Sequence, residues 1–219
     1  MIELSKGRSN LYGLLALIYE KEIALELLHK LKEPTFINTL SDLGFLLAND
    51  FQEKPDEELI EDLAVEYARL FLGPAQYISP HESVHHERAD GDWGSFWGAA
   101  TVEVKSFIES SGLKFDEKFQ GIPDHISVEL EFMRHVTERE KEAWEAEDQE
   151  RALYCLKMEK MFLKNHLSKW VDSFCDKVID KADLSFYREI AKVTKSFIAY
   201  ETENLDDYLA DAKKIGCAA

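Results

Sequence analysis

The sequence predicts an all-α protein, a single compact helical domain of about seven to nine helices. Three observations carry that expectation. Glu, Lys, Leu and Ala dominate, and apolar residues recur three and four apart, the period of a helix with one buried stripe. No alternating apolar and polar run of useful length marks a strand. Ten glycines and five prolines among 219 residues are about half the usual share of turn formers.

Each element follows from local signals. A first helix is expected over 9–31, stopping before Pro34, because the residue ahead of a proline is biased out of the helical region. A second covers about 35–48. A third opens at Pro55-Asp56-Glu57-Glu58, with proline in the first turn and acids at the positive end of the dipole, and stops at Gly73-Pro74. Residues 73–95 form the longest irregular stretch, and loops of that length in compact domains are often functional. A fourth helix over about 96–110 is closed by Gly112. After a break at Gly121-Ile122-Pro123, Asp124 reads as the N-cap of a long helix to about 145. Helices over about 149–179, bent near Ser168, then 184–201 and 205–214, complete the chain. Residues 1–219 read as one domain, with 203–219 expected to be a mobile end.

Composition narrows the function. Twenty-six basic against 43 acidic residues give a net charge of −17, which argues against nucleic acid held on a general basic surface and favours cationic partners. Apolar residues at 45% and aromatics at 11% suffice for a core. The start, Met1 to Arg8, has no apolar segment behind a basic one and does not read as a secretory leader. The longest apolar run, Leu14 to Tyr19, is far below the ~20 residues that span a bilayer, so no stable membrane insertion is expected. Cys155, Cys175 and Cys217 lie far apart, without the spacing of a disulfide framework or a cysteine zinc site. Cys155 and Cys175 read as small core residues, and a cytoplasmic setting is expected.

Two helices carry acids where apolar residues belong. Leu59, Leu63, Tyr67 and Leu70 form one stripe, and Glu66 falls inside it. Such a carboxylate must be paired or neutralised: it either reaches solvent or a loop amide at the stripe's end, or forms the anionic floor of a partly open groove. On the helix from Asp124, His125 and Glu129 sit within a wide apolar arc that includes Ile126, Leu130 and Met133. They are either a satisfied core histidine beside a plain helix start, or a sheltered hydrogen-bonding pair with a function.

These residues resemble the TorD/DmsD/NarJ family of redox-enzyme maturation chaperones. The run Glu66-Tyr67-Ala68-Arg69-Leu70-Phe71 matches the family's acid-Tyr-x-x-Leu-Phe motif, followed by Ser79-Pro80-His81-Glu82-Ser83-Val84. Pro123-Asp124-His125, with Glu129, Leu130 and Phe132, matches its second motif. His166-Leu167-x-x-Trp170 and Phe186-Tyr187-x-x-Ile190-Ala191 match its C-terminal pattern, so the likeness covers about residues 10–200. The resemblance implies a cytoplasmic chaperone, not an enzyme and without a cofactor of its own. Its partner would be the twin-arginine leader, and the precursor, of a molybdopterin oxidoreductase catalytic subunit, held until the cofactor is inserted; the chaperone would be a monomer or homodimer. The implied peptide-binding residues are Tyr67, Leu70, Phe71, Pro80, Glu82, Ser83, Asp124 and His125. A leader of two guanidiniums and an apolar segment calls for an apolar floor with carboxylates at one end. Glu66, Glu82, Asp124 and Glu129 are the candidate acids, and Trp93 adds apolar surface. Guanine-nucleotide binding has been proposed for some members, but no G-x-x-x-x-G-K-[ST] loop occurs in this sequence.

The chain departs from the family where an aromatic residue usually stands at His81 and a tyrosine at His85. The departures create His81-Glu82-x-x-His85, an H-E-x-x-H motif that on a helix binds zinc, with the glutamate as general base and His86 or Glu103 as a third ligand. A zinc-dependent hydrolase is therefore the alternative function. Against it, few apolar residues pin the segment as a helix, and Gly91 and Gly94 follow at once. Glu26-x-x-His29 lacks the second such motif a di-iron bundle needs. A third reading is a helical adaptor, with Glu138 to Glu150 as a charged solvated face.

Overall fold

The computed structural model describes residues 1–73, 77–86, 94 and 96–216. Among them are ten α-helices and no β-strand. In order they are α1 (Ile2–Glu20), α2 (Leu25–Leu31), α3 (Pro34–Asp42), α4 (Asn49–Glu53), α5 (Asp56–Tyr67), α6 (Ala99–Ser110), α7 (Ile126–Glu145), α8 (Gln149–Asn165), α9 (Leu167–Lys181) and α10 (Ser185–Gly216). The all-helical expectation holds, with more and differently divided helices than the periodicity suggested. Residues 21–24 interrupt the first expected helix, which also begins earlier. His166, outside the helical region at φ −127°, ψ −93°, breaks the 149–179 segment into α8 and α9. The two helices expected over 184–201 and 205–214 are one, α10, because the polar residues between them contain neither Gly nor Pro. Gly112, at φ +81°, closes α6 in the left-handed conformation that favours glycine.

The chain divides into two compact units interleaved in sequence. The first comprises residues 1–20, 81–171 and 197–219; the second, 21–80 and 172–196. In the first, α1 packs along α7 and α7 along α8. Both described cysteines are small buried residues, Cys155 in the first unit and Cys175 in the second. Burial pushes the Cys155 thiol up to about 12 and the Cys175 thiol up as well, so both stay protonated. No helix among the described residues is long and apolar enough to cross a membrane.

The core of the first unit is built round a charge. Arg8 of α1, 4% exposed, donates to Glu140 of α7 (2.9 Å), Glu159 of α8 and Glu201 of α10 (2.7 Å). All three glutamates are fully buried. Tyr12 Oη donates to Glu201 (3.0 Å), Trp144 Nε1 to Glu140 (2.7 Å), and the guanidinium stands 5.0 Å from the centre of the Tyr208 ring. One cation against three carboxyl groups leaves a surplus of potential negative charge. Burial, opposed by Arg8 and reinforced by Glu140, pushes Glu159 up to about 8, and burial also raises Glu140. Burial thus favours the protonated form of Glu159.

Two outcomes follow from this cluster. Arg8→Met should lower unfolding stability by about 3–5 kcal/mol in urea titrations, because it strands buried carboxyl groups without a cation. A carboxyl that binds its proton more tightly when folded stabilises the native state below its unfolded pKa and loses that contribution as pH rises through the folded value. Thermal unfolding of Glu159→Gln should match wild type near pH 5 and exceed it near pH 9. A wild-type advantage that grows with pH would contradict the assignment.

Candidate functional site

The sequence-selected residues fall in both units, and each group is wired within its own. In the second unit, α5 runs into a π-helical turn, Ala68–Leu72, and the Tyr-x-x-Leu-Phe motif spans the junction, with Tyr67 ending α5 and Leu70 and Phe71 in the turn. Tyr67, Leu70 and Phe71 are buried. The Tyr67 and Phe71 rings meet edge-on at 5.1 Å, and Phe71 touches Phe174 and Tyr187, each at 6.1 Å between centres. Tyr187 Oη donates to the Leu63 carbonyl (3.1 Å), and the Leu70 carbonyl accepts from the Ile78 N–H (2.7 Å). The motif is therefore the aromatic core of this unit. Pro80 is buried as well.

Glu66 takes the loop-amide alternative. It is 4% exposed and accepts from the Asp183 N–H (2.7 Å) and the Leu184 N–H (3.4 Å), just ahead of α10, where donors lack helical partners. Arg69 grips it with Nε at 2.6 Å and Nη2 at 2.7 Å, and also donates to the Lys181 carbonyl (2.7 Å). Burial pushes the Glu66 carboxyl up, but the Arg69 hydrogen bonds and the two amides together hold it below its ordinary value. This pair fastens the turn after α5 to the connection between α9 and α10.

In the first unit, three separated motifs meet. His81 and His125 form an isolated antiparallel bridge, and the Glu82 N–H donates to the Asp124 carbonyl (2.9 Å). The Asp124 carboxylate accepts from the Ser83 N–H (2.7 Å), so it does not cap α7 as expected. His125 does: its Nδ1 accepts from the Ser127 N–H (3.1 Å) and lies 2.7 Å from Ser127 Oγ. Burial first, then neighbouring His81, depress His125 to about 3 against the pull of Asp124, so the imidazole is neutral and free to accept. His81 is lowered too, by burial.

Behind them, Glu82 (2% exposed) meets His86 Nε2 and His166 Nδ1, each at 2.9 Å. Glu129, wholly buried, accepts from Trp170 Nε1 at 3.3 Å. Burial and the adjacent Glu82 carboxyl raise Glu129 well above the usual carboxylate range. The cluster thus joins residues 81–86, 124–129 and 166–170. His166 had no role assigned from sequence, and His86 had one only as a possible third zinc ligand. The pattern His166-x-x-x-Trp170, placing two hydrogen-bonding rings one turn apart, is the visible signal for His166. Asp124 Oδ1 and Ser83 Oγ, both buried, have no hydrogen-bond partner among the described residues. Gly94 backs directly onto this segment, and a Cβ there would stand 1.7 Å from the Ser83 carbonyl oxygen. Trp93 lies outside the described residues.

The geometry at His81 and His85 differs from that of a helical H-E-x-x-H site. Residues Glu82–Val84 form a single 3-10 turn, not an α-helix. The His81 ring packs edge-on against Phe96 (5.0 Å) and His125 (4.9 Å), whereas His85 lies against Trp170 (5.1 Å). Glu82, the would-be base, is held by other histidines. Among the described residues no group of three or more His, Cys, Asp or Glu side chains could hold a metal ion.

Open surface begins where the buried cluster ends. A cavity of about 490 Å³ is lined by Trp97, Lys105, Glu109, Phe115, Phe119 and Pro123, among others. A second, of about 380 Å³, shares Leu113, Lys114, Phe115 and Phe119 with it. It extends along α7 past Ser127, Val128, Glu131, Phe132 and His135 to Ala16, Leu17 and Glu20 of α1. Sequence reasoning did not select this groove. Trp97 stands at its mouth, 64% exposed and in the left-handed region at φ +63°, an uncommon conformation for a bulky residue.

A family model described as nitrate reductase delta subunit matches residues 38–176. The chain is 26% identical over 216 residues to the chaperone protein TorD of Shewanella pealeana, covering 92% of this chain and 91% of that one. It is 22% identical over 221 residues to the chaperone protein TorD of Vibrio cholerae serotype O1, covering 95% and 96%. A crystal structure of an Archaeoglobus fulgidus protein assigned to redox enzyme maturation aligns with a TM-score of 0.56 at 24% identity. That alignment covers 88% of this chain and 93% of that one, and is a likeness of fold.

Because Glu66 acts as a clamp, Glu66→Ala should lower unfolding stability by about 1–3 kcal/mol in urea. Glu66→Gln keeps an acceptor for the amides and should lose less. Equal losses in the two variants would show that the Asp183 and Leu184 amides do not depend on this side chain.

Proposed function

The chain belongs to the nitrate reductase delta subunit family, and from that premise we propose that it is a cytoplasmic chaperone for redox-enzyme maturation. In this reading it binds the twin-arginine leader of a molybdopterin-dependent oxidoreductase subunit and holds the precursor during cofactor insertion. It acts by binding, not by catalysis. The observation that carries the reading is likeness over more than 90% of both chains to relatives named as chaperones.

The geometry supports a division of labour in the site. Glu82, Ser83, Asp124 and Glu129 are buried and joined by internal hydrogen bonds, so they brace the start of α7 and do not themselves meet guanidinium. Glu66, Tyr67, Leu70, Phe71 and Pro80 build the frame of their own unit in the same way. His125 caps α7, whose residues Ser127, Val128, Glu131 and Phe132 line the groove, and the groove's apolar walls suit the leader's apolar segment. Glu20 and Glu131 on that groove are the acids placed to meet basic residues, although Glu131 must share itself with Arg134. The net charge of −17 speeds encounter with a basic leader.

Fluorescence anisotropy with labelled leaders from cofactor-containing subunits of the same genome tests this. Saturable binding is expected at low salt, weakening as salt rises. Replacing both leader arginines by lysine should weaken it by about 1–3 kcal/mol. Leu17→Glu, at an exposed wall position, should weaken it about tenfold, the equivalent of roughly 1.4 kcal/mol. Absence of saturable binding for every leader would sink the proposal.

A further inference from the structure

A second open groove, of about 500 Å³, lies on the first unit between α8 and the C-terminal part of α10. The two helices run antiparallel there. Gln149 of α8 donates to the Ala212 carbonyl (2.7 Å), and farther along Lys160 pairs with Asp206. Beneath, Arg8 joins Glu159 of α8 to Glu201 of α10. The floor of the groove is therefore fixed before anything binds.

The lining combines apolar surface with cations. Met158 and Leu209 form the buried floor, while Tyr154 and Met161 expose 54% and 45% of their surface. Tyr154 and Met161 lie two turns apart on one face of α8, about 10 Å along the axis. Three lysines, Lys157, Lys160 and Lys213, rim this surface against a single acid, Asp206. Lys160 is the one that pairs with it; Lys157 and Lys213 make no ion pair among the described residues. A locally cationic, apolar trough thus stands on a chain of net charge −17.

We propose that this groove docks an acidic amphipathic helix of a partner protein, apolar face down between α8 and α10, with its carboxylates on Lys157 and Lys213. Two antiparallel helices with an open seam accept a third helix through residues spaced i, i+3, i+4 and i+7. Methionine side chains adapt to the shapes such a face presents. The cationic rim repels a basic leader, so the surface is separate from the one assigned to the leader above and does not depend on that assignment.

The test uses the full chain and two fluorescein-labelled helical peptides read by anisotropy. One carries leucines at i, i+3, i+4 and i+7 flanked by glutamates; the other has lysines in place of the glutamates. The acidic probe should saturate with at least tenfold higher affinity than the basic one. The double variant Lys157→Glu/Lys213→Glu, at exposed positions, should lose at least tenfold in affinity for the acidic probe while unfolding in urea like wild type. Met161→Glu should weaken the acidic probe comparably. Equal affinity for both probes, no saturation, or an unaffected double variant overturns the proposal. Sedimentation velocity and co-flotation with vesicles containing anionic phosphatidylglycerol cover the other occupants. A wild-type dimer, or vesicle binding, that disappears in the double variant would assign the groove to a second copy or a lipid surface and reject a partner helix.

Discussion

One buried guanidinium sets the frame in which the first unit's site is held. Arg8 is the common donor to α7, α8 and α10, so four helices, counting its own, converge on a single side chain. A charge removed from water must be compensated or the fold loses more than any one apolar contact supplies. That demand constrains the packing, because the four helices must bring Glu140, Glu159 and Glu201 within reach of one guanidinium together. It also reaches the site. α7 carries Glu140 near its end and His125 at its start, about 22 Å apart along the axis. Fixing the helix at one end against its neighbours fixes the direction in which the other end presents the groove.

The helical class was legible because it rests on periodicity, which each segment carries by itself. The boundaries were less so. The break at 21–24 has neither Gly nor Pro to announce it, and the polar stretch before Leu205 resembled a break although it is only the exposed side of α10. The pattern that marks Glu66, a charged residue inside an apolar stripe, also marks four others. Arg8 lies between Ser5 and Tyr12, Glu159 between Leu156 and Leu163, and Glu201 between Ile198 and Leu205, each on a buried stripe. Glu140 sits in the run Glu138 to Glu150, whose charges read as a solvated face, yet it is fully buried. What no local pattern contains is the partner. Arg8 and Glu201 are 193 residues apart, and Glu66 meets the Asp183 amide 117 residues on. Sequence showed that these groups needed compensation but not what would provide it, and so an internal clamp looked like a binding acid.

That distinction changes what the site can offer. Its carboxyl groups point inward, and its buried histidines, His81 and His125, are neutral. His125 must be, since a protonated Nδ1 could not accept the Ser127 N–H and an imidazolium would face the positive end of α7. A rim without charge cannot attract a ligand over distance. Recognition there has to come from apolar area and from acids farther along the groove, Glu20 and Glu131, which remain in contact with water. The buried acids contribute rigidity: each fixes two chain segments, and a preformed groove loses less entropy when it is filled.

The two open grooves of the first unit then differ in how they can discriminate. The long-range field of a chain at −17 is attractive to any cation and repulsive to any anion, so by itself it selects only the sign of the partner. A basic partner gains association rate from that field and needs little from local charge. An acidic partner approaches against it and gains nothing until Lys157 and Lys213 are within a Debye length, roughly 8 Å in physiological salt. Its specificity must reside in the contacts that slow departure: the apolar walls of Tyr154 and Met161, and ion pairs partly withdrawn from water once those walls are covered. The same surface charge that would make one interaction fast would make the other depend on fit.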